Sequence, residues 1–292
     1  MTTRKTRYDI DDQYSWDEKT RVYDDEGAMI ARETLYDDGR EVVVTYEDGV
    51  LATKTDLDNG DSHDWVSKYM EYDENGKIEY LDKVYDDGRH LQQTYENGQV
   101  TQKAWEDNGD IYTWETKVED FEDGQVKTAT ILYDDGLLLD AYYMDGVLAT
   151  EFWQDTRDAY DWDERYNQFD DGQLVVSSTA YDDGRALDVF YDGGETVSKF
   201  WVDGADVFSW AWKDESYEND ELVYRHTMKD EGTEVFSTFE DGEIVEEVKV
   251  DSRDLYAWDS RTTLYEDGEA VSMTTVFDDG SEDIVTYADL MG

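Results

Sequence analysis

The sequence predicts an all-β protein built from tandem antiparallel repeats, and three observations predict it. Asp-Gly and Asn-Gly pairs, the strongest short hairpin signals, recur along the whole 292-residue chain. The segments between them are short, rich in β-branched and aromatic residues, and contain no proline. Tryptophan returns every 48 or 49 residues, at Trp16, Trp65, Trp114, Trp162, Trp210 and Trp258. A fixed period of this length indicates a repeat architecture.

Each repeat contains four segments of strand length, and the first begins at the tryptophan. The second segment has apolar residues in its second column, from Met29 in the first repeat to Ala270 in the last, and in its eighth, from Leu35 to Val276. An even separation predicts that both columns face the same side of a strand. An Asp-Asp-Gly turn usually follows an aromatic residue, as at Tyr36. We therefore expect six antiparallel repeats of four strands each.

The ends of the chain suggest how the repeats are arranged within a single domain, residues 1–292. The repeats are 16–64, 65–113, 114–161, 162–209, 210–257 and 258–292, the last completed by 1–15. The last repeat ends on its third strand, "SEDIVTYAD" at 281–289, and the N-terminal segment 1–9 aligns with the fourth strand at 50–58. This complementarity favours a six-bladed β-propeller closed by the N-terminal strand, which leaves no exposed sheet edge. An open single-layer array of β-hairpins is the alternative.

Composition narrows the classes of function. The chain has 77 acidic and 25 basic residues, a net charge of −52, and no cysteine. Such a charge opposes binding to nucleic acid or anionic membranes, and disulfides and thiolate metal sites are impossible. No segment resembles a cleavable signal peptide, and no apolar run is long enough to insert in a membrane. The acidity is typical of saline or calcium-rich surroundings.

Several motifs resemble those of a known group of repeats. They are "YDDGR" at 36–40, 85–89 and 181–185, "YENGQV" at 95–100, "DGVLAT" at 48–53 and 145–150, and Asp-x-x-Asp-x-x-x-Trp. They are similar to the Asp/Gly-rich tandem repeats of bacterial type I-secreted, RTX-associated proteins, and more loosely to YD-type and MORN-type hairpin repeats. The glycine-rich nonapeptide that binds calcium in RTX proteins is absent, so its calcium sites are not implied here.

The two aspartates before each tryptophan are the candidate metal ligands. Calcium prefers six to eight oxygen ligands, which two carboxylates, turn carbonyls and water can supply. The alternative is an Asx-type turn in which each aspartate binds only its own backbone amides. The candidate residues are Asp9, Asp12, Asp58, Asp61, Asp107, Asp110, Asp155, Asp158, Asp203, Asp206, Asp251 and Asp254.

No candidate catalytic centre emerges from the sequence. The three histidines, His63, His90 and His226, occupy unrelated positions in the repeat, and we expect them to face solvent. The prominent carboxylates recur in every repeat, whereas a catalytic pair would distinguish one repeat from the others. Recurrence indicates a structural role, and we assign the same role to the six tryptophans.

The sequence therefore predicts a non-enzymatic structural or adhesive protein of an extracellular or virion surface. Its partners would be a protein assembly or a surface glycan. The sequence requires no cofactor, and Ca²⁺ is the one candidate. The alternative function is a lectin-like propeller that binds carbohydrate or protein through aromatic residues on one loop face.

Overall fold

The computed structural model describes residues 1–287, which contain 24 β-strands and no α-helix. Two compact units divide the chain, one of residues 1–146 and one beginning at residue 147. The first unit holds β1 (Thr3–Tyr8), β2 (Trp16–Tyr23), β3 (Met29–Tyr36), β4 (Arg40–Glu47), β5 (Val50–Asp58), β6 (Trp65–Tyr72), β7 (Ile78–Tyr85), β8 (Arg89–Glu96), β9 (Gln99–Asp107), β10 (Trp114–Glu122), β11 (Gln125–Tyr133) and β12 (Leu137–Met144).

The second unit repeats this pattern. It holds β13 (Val147–Asp155), β14 (Trp162–Asp170), β15 (Gln173–Tyr181), β16 (Arg185–Asp192), β17 (Glu195–Asp203), β18 (Trp210–Glu218), β19 (Glu221–Lys229), β20 (Thr233–Glu240), β21 (Glu243–Asp251), β22 (Trp258–Glu266), β23 (Glu269–Phe277) and β24 (Glu282–Thr286). The tryptophan opens the first strand of every repeat, and the all-β prediction is confirmed. Nowhere in residues 1–287 is there a helix long and apolar enough to cross a membrane.

Within each unit every strand pairs antiparallel with the strand that follows it in sequence. The connection between the third and fourth strands is typically a two-residue turn with two positive φ angles. In the turn between β4 and β5, φ is 49° at Asp48 and 82° at Gly49. This backbone matches the right-handed twist of the flanking strands, and Asp-Gly is one of the few pairs that adopt it at low cost.

The six-bladed propeller is wrong, because within each unit the strands of successive repeats belong to one continuous meander. In a propeller each blade is a separate four-stranded sheet. Here the fourth strand of one repeat pairs directly with the first strand of the next, for example β5 with β6, where Thr55 lies opposite Tyr69. The same pairing joins β9 to β10, β17 to β18 and β21 to β22.

Closure by the N-terminal strand is also wrong. Among the described strands β1 pairs with β2 alone, from Thr3 opposite Tyr23 to Tyr8 opposite Glu18. It is therefore an edge strand, and the sheet is open. The alternative prediction, an open array of β-hairpins, is confirmed.

The two faces of the sheet differ in chemistry. Directly opposed residues share a face, and residues two apart in a regular strand share a face, so the pairing register assigns each side chain. In each unit, we call the face that carries its three repeat tryptophans the tryptophan face. It also carries most of the basic side chains: Lys5, Arg7, Lys19, Arg21, Arg32, Arg40, Lys54, Lys68, Lys83, Arg89, Lys103, Lys117, Arg165, Arg185, Lys199, Lys213, Arg225, Lys229, Lys249 and Arg261.

We call the other side the acidic face. Its carboxylates include Glu18, Glu33, Glu41, Glu71, Asp82, Glu106, Asp120, Asp140, Glu164, Asp188, Asp214, Glu234 and Glu246. The large apolar residues that lie on strands of this face are exposed or half-buried: Leu35 is 39 % and Phe190 40 % exposed, and Leu57 is half-buried. The buried aliphatic side chains, including Val44 and Leu91, lie on the tryptophan face. Basic stems and indole rings, rather than a second layer, therefore cover the apolar residues within each unit.

The two apolar columns expected to share a face do not. In β3, Met29 lies opposite Tyr23 and Leu35 lies opposite Glu18, and an odd separation between these partners puts them on opposite faces. A β-bulge between the two columns inserts one residue and reverses the alternation.

Candidate functional site

The candidate site is the loop that precedes each tryptophan, together with the first turn of the strand that follows. In every repeat the carboxylate of the first aspartate accepts a hydrogen bond from the backbone N–H five residues later. The donors and acceptors are Tyr14 to Asp9, His63 to Asp58, Tyr112 to Asp107, Tyr160 to Asp155, Phe208 to Asp203 and Tyr256 to Asp251, at 2.5–2.6 Å. This bond closes the loop and reverses the chain.

The second aspartate of each pair has a different role. Its φ is positive in all six loops, from 52° at Asp12 to 57° at Asp206. Aspartate is one of the few residues besides glycine that adopt this left-handed conformation. The remaining members are Asp61, Asp110, Asp158 and Asp254. The first aspartate therefore makes the backbone bond that the Asx-type alternative predicts, whereas the second contributes its left-handed backbone conformation.

The hydrogen bonds that close the loop also affect the pKa of Asp58. Burial alone would raise the pKa of Asp58, but the N–H groups of Ser62 and His63 and the His63 ring outweigh burial and lower it. The His63 Nδ1 atom lies 3.3 Å from Asp58 Oδ2, and the Asp58 side chain is only 1 % exposed. The pKa of Asp155 is lowered in the same way, because backbone N–H groups of the loop outweigh burial. Both carboxylates are thereby stabilised in the charged form.

An aromatic residue two positions before each tryptophan stacks on the indole ring. The ring centres are 4.9–5.5 Å apart in Tyr14–Trp16, His63–Trp65, Tyr112–Trp114, Tyr160–Trp162, Phe208–Trp210 and Tyr256–Trp258. The stacked residue is the one whose N–H the first aspartate accepts. One aspartate therefore fixes both the loop and the ring that covers the tryptophan.

In five repeats a basic residue three positions after the tryptophan lies against its indole ring. The cation lies 4.0–4.7 Å from the indole centre in Trp16–Lys19, Trp65–Lys68, Trp162–Arg165, Trp210–Lys213 and Trp258–Arg261. In a regular strand such residues face opposite sides, but every first strand has a β-bulge directly after its tryptophan. The bulge brings the ring and the cation to the same face.

These tryptophans are largely buried between the loop ring and the cation. Exposure is 3 % for Trp65, 6 % for Trp16, Trp162 and Trp210, and 8 % for Trp258. Trp114 is half-buried. The loop rings that stack on them stay accessible, with Tyr112 at 41 % and Tyr256 at 44 %.

A third aspartate joins the pair in each repeat. It is the first residue of the turn between the second and third strands, and the Asp86 N–H donates to the Asp64 carbonyl at 3.4 Å. Burial and the surrounding carboxylates raise the pKa of this aspartate in all six repeats: Asp37, Asp86, Asp134, Asp182, Asp230 and Asp278. Around Asp86 these carboxylates are Asp61, Asp58, Asp64 and Asp87.

Glycine lets this turn approach the next loop. A Cβ at Gly60 would lie 1.8 Å from the carbonyl oxygen of Asp38. The loops and turns therefore form a nearly continuous acidic edge within each unit. Even so, no group of three or more His, Cys, Asp or Glu side chains within residues 1–287 has the geometry to hold a metal ion. The calcium site remains a prediction from the sequence.

His63 is exposed, as expected, whereas the two strand histidines lie against carboxylates. His90 bridges two carboxylates, with Nε2 3.0 Å from Asp82 and Nδ1 3.3 Å from Glu106. His226 lies 2.9 Å from Glu234 and packs against Trp212 and Phe236. The surplus of carboxylates on the acidic face gives a partner to each of these two strand histidines.

Two elements of the site were missed by the sequence analysis, although the sequence contains their signal. The segments from the tryptophan to its cation read "WDEK", "WVSK", "WETK", "WDER", "WAWK" and "WDSR". An aromatic residue or histidine also stands two positions before every tryptophan.

Comparison with protein-family models finds no match, and comparison with curated proteins finds no relative.

Proposed function

We propose that the protein is a non-enzymatic structural or adhesive component of an extracellular or virion surface. The observation that carries the proposal is recurrence: the capping aspartate and the stacked ring occur in all six repeats. Catalysis needs one constellation that differs from its copies, whereas a scaffold or a multivalent binder needs the same element many times.

Composition supports a place outside the cell or on a particle. The net charge of −52 and the lack of cysteine suit a saline or oxidising environment. The same charge opposes contact with nucleic acid. The partners we propose are a protein assembly or a surface glycan, and Ca²⁺ is the one cation we propose for the acidic edge.

The proposal is tested by what the protein binds when expressed in its own host. We expect it to co-purify with a filament, particle or cell surface. We expect no binding to isolated glycans on an array. A structural role would be contradicted if a homogeneous preparation turned over a substrate and this activity were lost when residues of one repeat only were substituted.

A second candidate function is binding of an extended glycan or a protein through the loop rings, independent of a propeller. Three loops carry an exposed aliphatic residue beside the exposed ring. The pairs are Ile111 (54 %) with Tyr112 (41 %), Val207 (60 %) with Phe208 (38 %), and Leu255 (58 %) with Tyr256 (44 %). Exposed aromatic and aliphatic side chains of this kind are typical of binding surfaces.

A glycan array or pull-down distinguishes the two functions. Saturable binding that falls on replacing Tyr112 and Tyr256 with alanine would support the binding module. Replacement of Tyr142, which is 39 % exposed on a strand rather than in a loop, is the matched control. Binding that is equally sensitive to Tyr142 would argue against a loop-borne site.

A further inference from the structure

Two strands present an open edge. Among the described strands β1 pairs only with β2, and β24 pairs only with β23. Each therefore leaves a row of backbone N–H and C=O groups along its other side. Such an edge can template pairing with a further strand.

The two edge strands correspond to strands that are neighbours within a repeat. β24 is a third strand and β1 is a fourth strand, and third and fourth strands pair in one register in both units. The residue after the turn glycine lies opposite the first aspartate of the loop motif, as in Arg40 opposite Asp58 and Arg185 opposite Asp203. A third strand and a fourth strand from different chains can therefore use a register that this sheet already contains.

If β24 and β1 of two copies pair in this register, residues of opposite charge lie opposite each other. Ser281 follows the turn glycine Gly280, and Asp9 is the first loop aspartate, so these two residues become opposed. Counting along the strands then places Asp283 opposite Arg7, on the tryptophan face. Val285 falls opposite Lys5.

The charge of Asp283 is peculiar to its edge strand. The residue equivalent to Asp283 is aliphatic in all other third strands: Val42, Leu91, Leu139, Leu187 and Val235. The positions equivalent to Arg7 are mixed: three are aromatic, Trp105, Trp153 and Trp201, and two are charged, Asp56 and Lys249. Asp283 therefore departs from its own column, and the shared register places a residue of opposite charge, Arg7, opposite it.

The surroundings of Arg7 favour an acidic partner. Lys5, Arg7, Lys19 and Arg21 line one open cavity of about 350 Å³ with Tyr14, Trp16 and Tyr23. Arg32 lies opposite Arg21 on the same face. None of these five cations forms an ion pair with a described residue, whereas Lys54 and Lys117 further along the face pair with Asp56 and Glu119. Burial and the neighbouring cations Arg32, Arg21 and Arg7 lower the pKa of Lys19.

The opposite edge offers the matching features. Glu282 and Asp283 are exposed at the start of β24, and no described residue forms an ion pair with Asp283. Ile284, on the acidic face, is 65 % exposed. A strand placed beside β24 would cover this side chain.

We infer that β24 of one copy pairs antiparallel with β1 of a second copy, in the register of the third and fourth strands and with Asp283 opposite Arg7. Copies are thereby joined head to tail. This inference deepens the structural role proposed above and rests on it. Pairing of two β1 edges would oppose clusters of like charge, so the charges also disfavour the wrong assembly.

Head-to-tail contacts of this kind build open filaments or, where the rotation closes, rings. The net charge of −52 opposes association. At physiological ionic strength, repulsion between charges further apart than about 8 Å is largely screened, whereas a close ion pair is screened much less. The test therefore uses physiological salt.

Sedimentation velocity on the full chain over a range of concentrations tests the inference. We expect wild type to form dimers and longer species as concentration rises. Arg7→Asp and Asp283→Arg should each weaken association by about tenfold or more, because each places like charges in contact. The double variant, and an equimolar mixture of the two single variants, should recover it. Far-UV circular dichroism verifies that each variant is folded.

Wild type that remains monomeric up to its solubility limit would overturn the inference, and so would association unaffected by either charge reversal. In both cases the edge charges would serve only to prevent edge pairing. The structural or adhesive function would survive these results if the monomer still bound a particle or surface. Conversely, a self-assembling chain with catalytic activity would contradict the proposed function and leave the head-to-tail contact standing.

Discussion

Lys68 Nζ lies 4.0 Å from the centre of the Trp65 ring, although the two residues are three positions apart in one strand. The bulge between Trp65 and Ser67 makes this possible, because it turns both side chains to the tryptophan face. Burial and the neighbouring Lys83 lower the pKa of Lys68, although Asp56 and Asp64 oppose this effect. The ammonium group is therefore partly removed from water and held against the ring.

Replacing Lys68 with methionine tests this contact. The substitution keeps the aliphatic stem but removes the charge. Loss of the cation–π contact costs about 0.5–2 kcal/mol in the free energy of unfolding. Relief of the burial and of the Lys83 repulsion offsets part of this cost, so we expect a smaller net loss. Trp65→Ala should cost about 3–5 kcal/mol, because the ring is nearly fully buried. Urea unfolding gives both values.

Lys77→Met is the matched control, since Lys77 is exposed in the turn between β6 and β7. We expect it to change stability little. Equal losses for Lys68→Met and Lys77→Met would show that the ring contact contributes nothing.

Asp58 should make the free energy of unfolding depend on pH in the acidic range. Its pKa is lower in the folded chain than in the unfolded chain, so its contribution is fully present above the unfolded value, about pH 3.9. That contribution is lost as pH falls through the folded pKa. Asp58→Ala removes the acceptor of the His63 N–H and should lower the melting temperature at neutral pH.

The difference in melting temperature between wild type and Asp58→Ala should shrink on acidification. Thermal melts at a series of pH values provide the measurement. A difference that stays constant down to the most acidic sample would mean that Asp58 is not charged in the loop.

His90 should stabilise the fold at low pH, and this contribution should be lost as pH rises. Burial alone would lower its pKa, but hydrogen bonds and charge from Asp82 and Glu106 raise it. The stability from the protonated ring is fully present below the unfolded pKa of about 6.5 and is lost as pH rises through the folded pKa. His90→Gln should therefore lower the melting temperature in mild acid and have less effect in alkaline solution. An NMR titration of the His90 ring protons that gives a pKa below 6.5 would refute this.

Asp86 should be a source of instability at neutral pH. Burial and the surrounding aspartates raise its pKa, so folding disfavours its charged form. This penalty is present above the folded pKa and disappears as pH falls below the unfolded one. Asp86→Asn should therefore raise the melting temperature at neutral pH.

The neighbouring Asp87 is the control, because it accepts hydrogen bonds from the Arg89 backbone and side chain. Asp87→Asn should lower the melting temperature. If calcium gathers at this edge, millimolar Ca²⁺ should raise the melting temperature of wild type more than Mg²⁺ does, and Asp86→Asn should reduce that gain. Identical melts with and without Ca²⁺ would dismiss the cation.

The strand bounds could be predicted from the sequence because Asp-Gly turns and tryptophans mark both ends of each strand. The arrangement of the strands could not, since a propeller and an open array contain the same four strands. What decides between them is the loop before the tryptophan. The bond from the His63 N–H to Asp58 closes this loop into a hairpin-like reversal, so the next strand pairs in the same sheet.

Only part of the candidate site could be predicted from the sequence. The aspartates and tryptophans recur visibly, and the Asx-type alternative describes the hydrogen bond of the first aspartate in each pair. The partnership of Trp65 with Lys68 contradicts simple alternation, and the bulge that permits it has no single-residue signature. The tryptophan face follows from these bulges and from pairing across neighbouring strands, which a one-dimensional pattern does not specify.

The central claim is that the fourth strand of each repeat pairs directly with the first strand of the next. Because the chain has no cysteine, an engineered pair can test it without background. Thr55 and Tyr69 lie directly opposite each other in β5 and β6, and opposed residues of antiparallel strands have Cα atoms about 4.5–5.5 Å apart. That separation suits a disulfide.

We expect Thr55→Cys/Tyr69→Cys to form an intramolecular disulfide in the folded protein, detected by mass spectrometry. Thr55→Cys/Gln92→Cys should not form one, because Gln92 lies in the same row but three strands away, about 14 Å across the sheet. Absence of the first crosslink in a correctly folded variant, or efficient formation of the second, would contradict the open array.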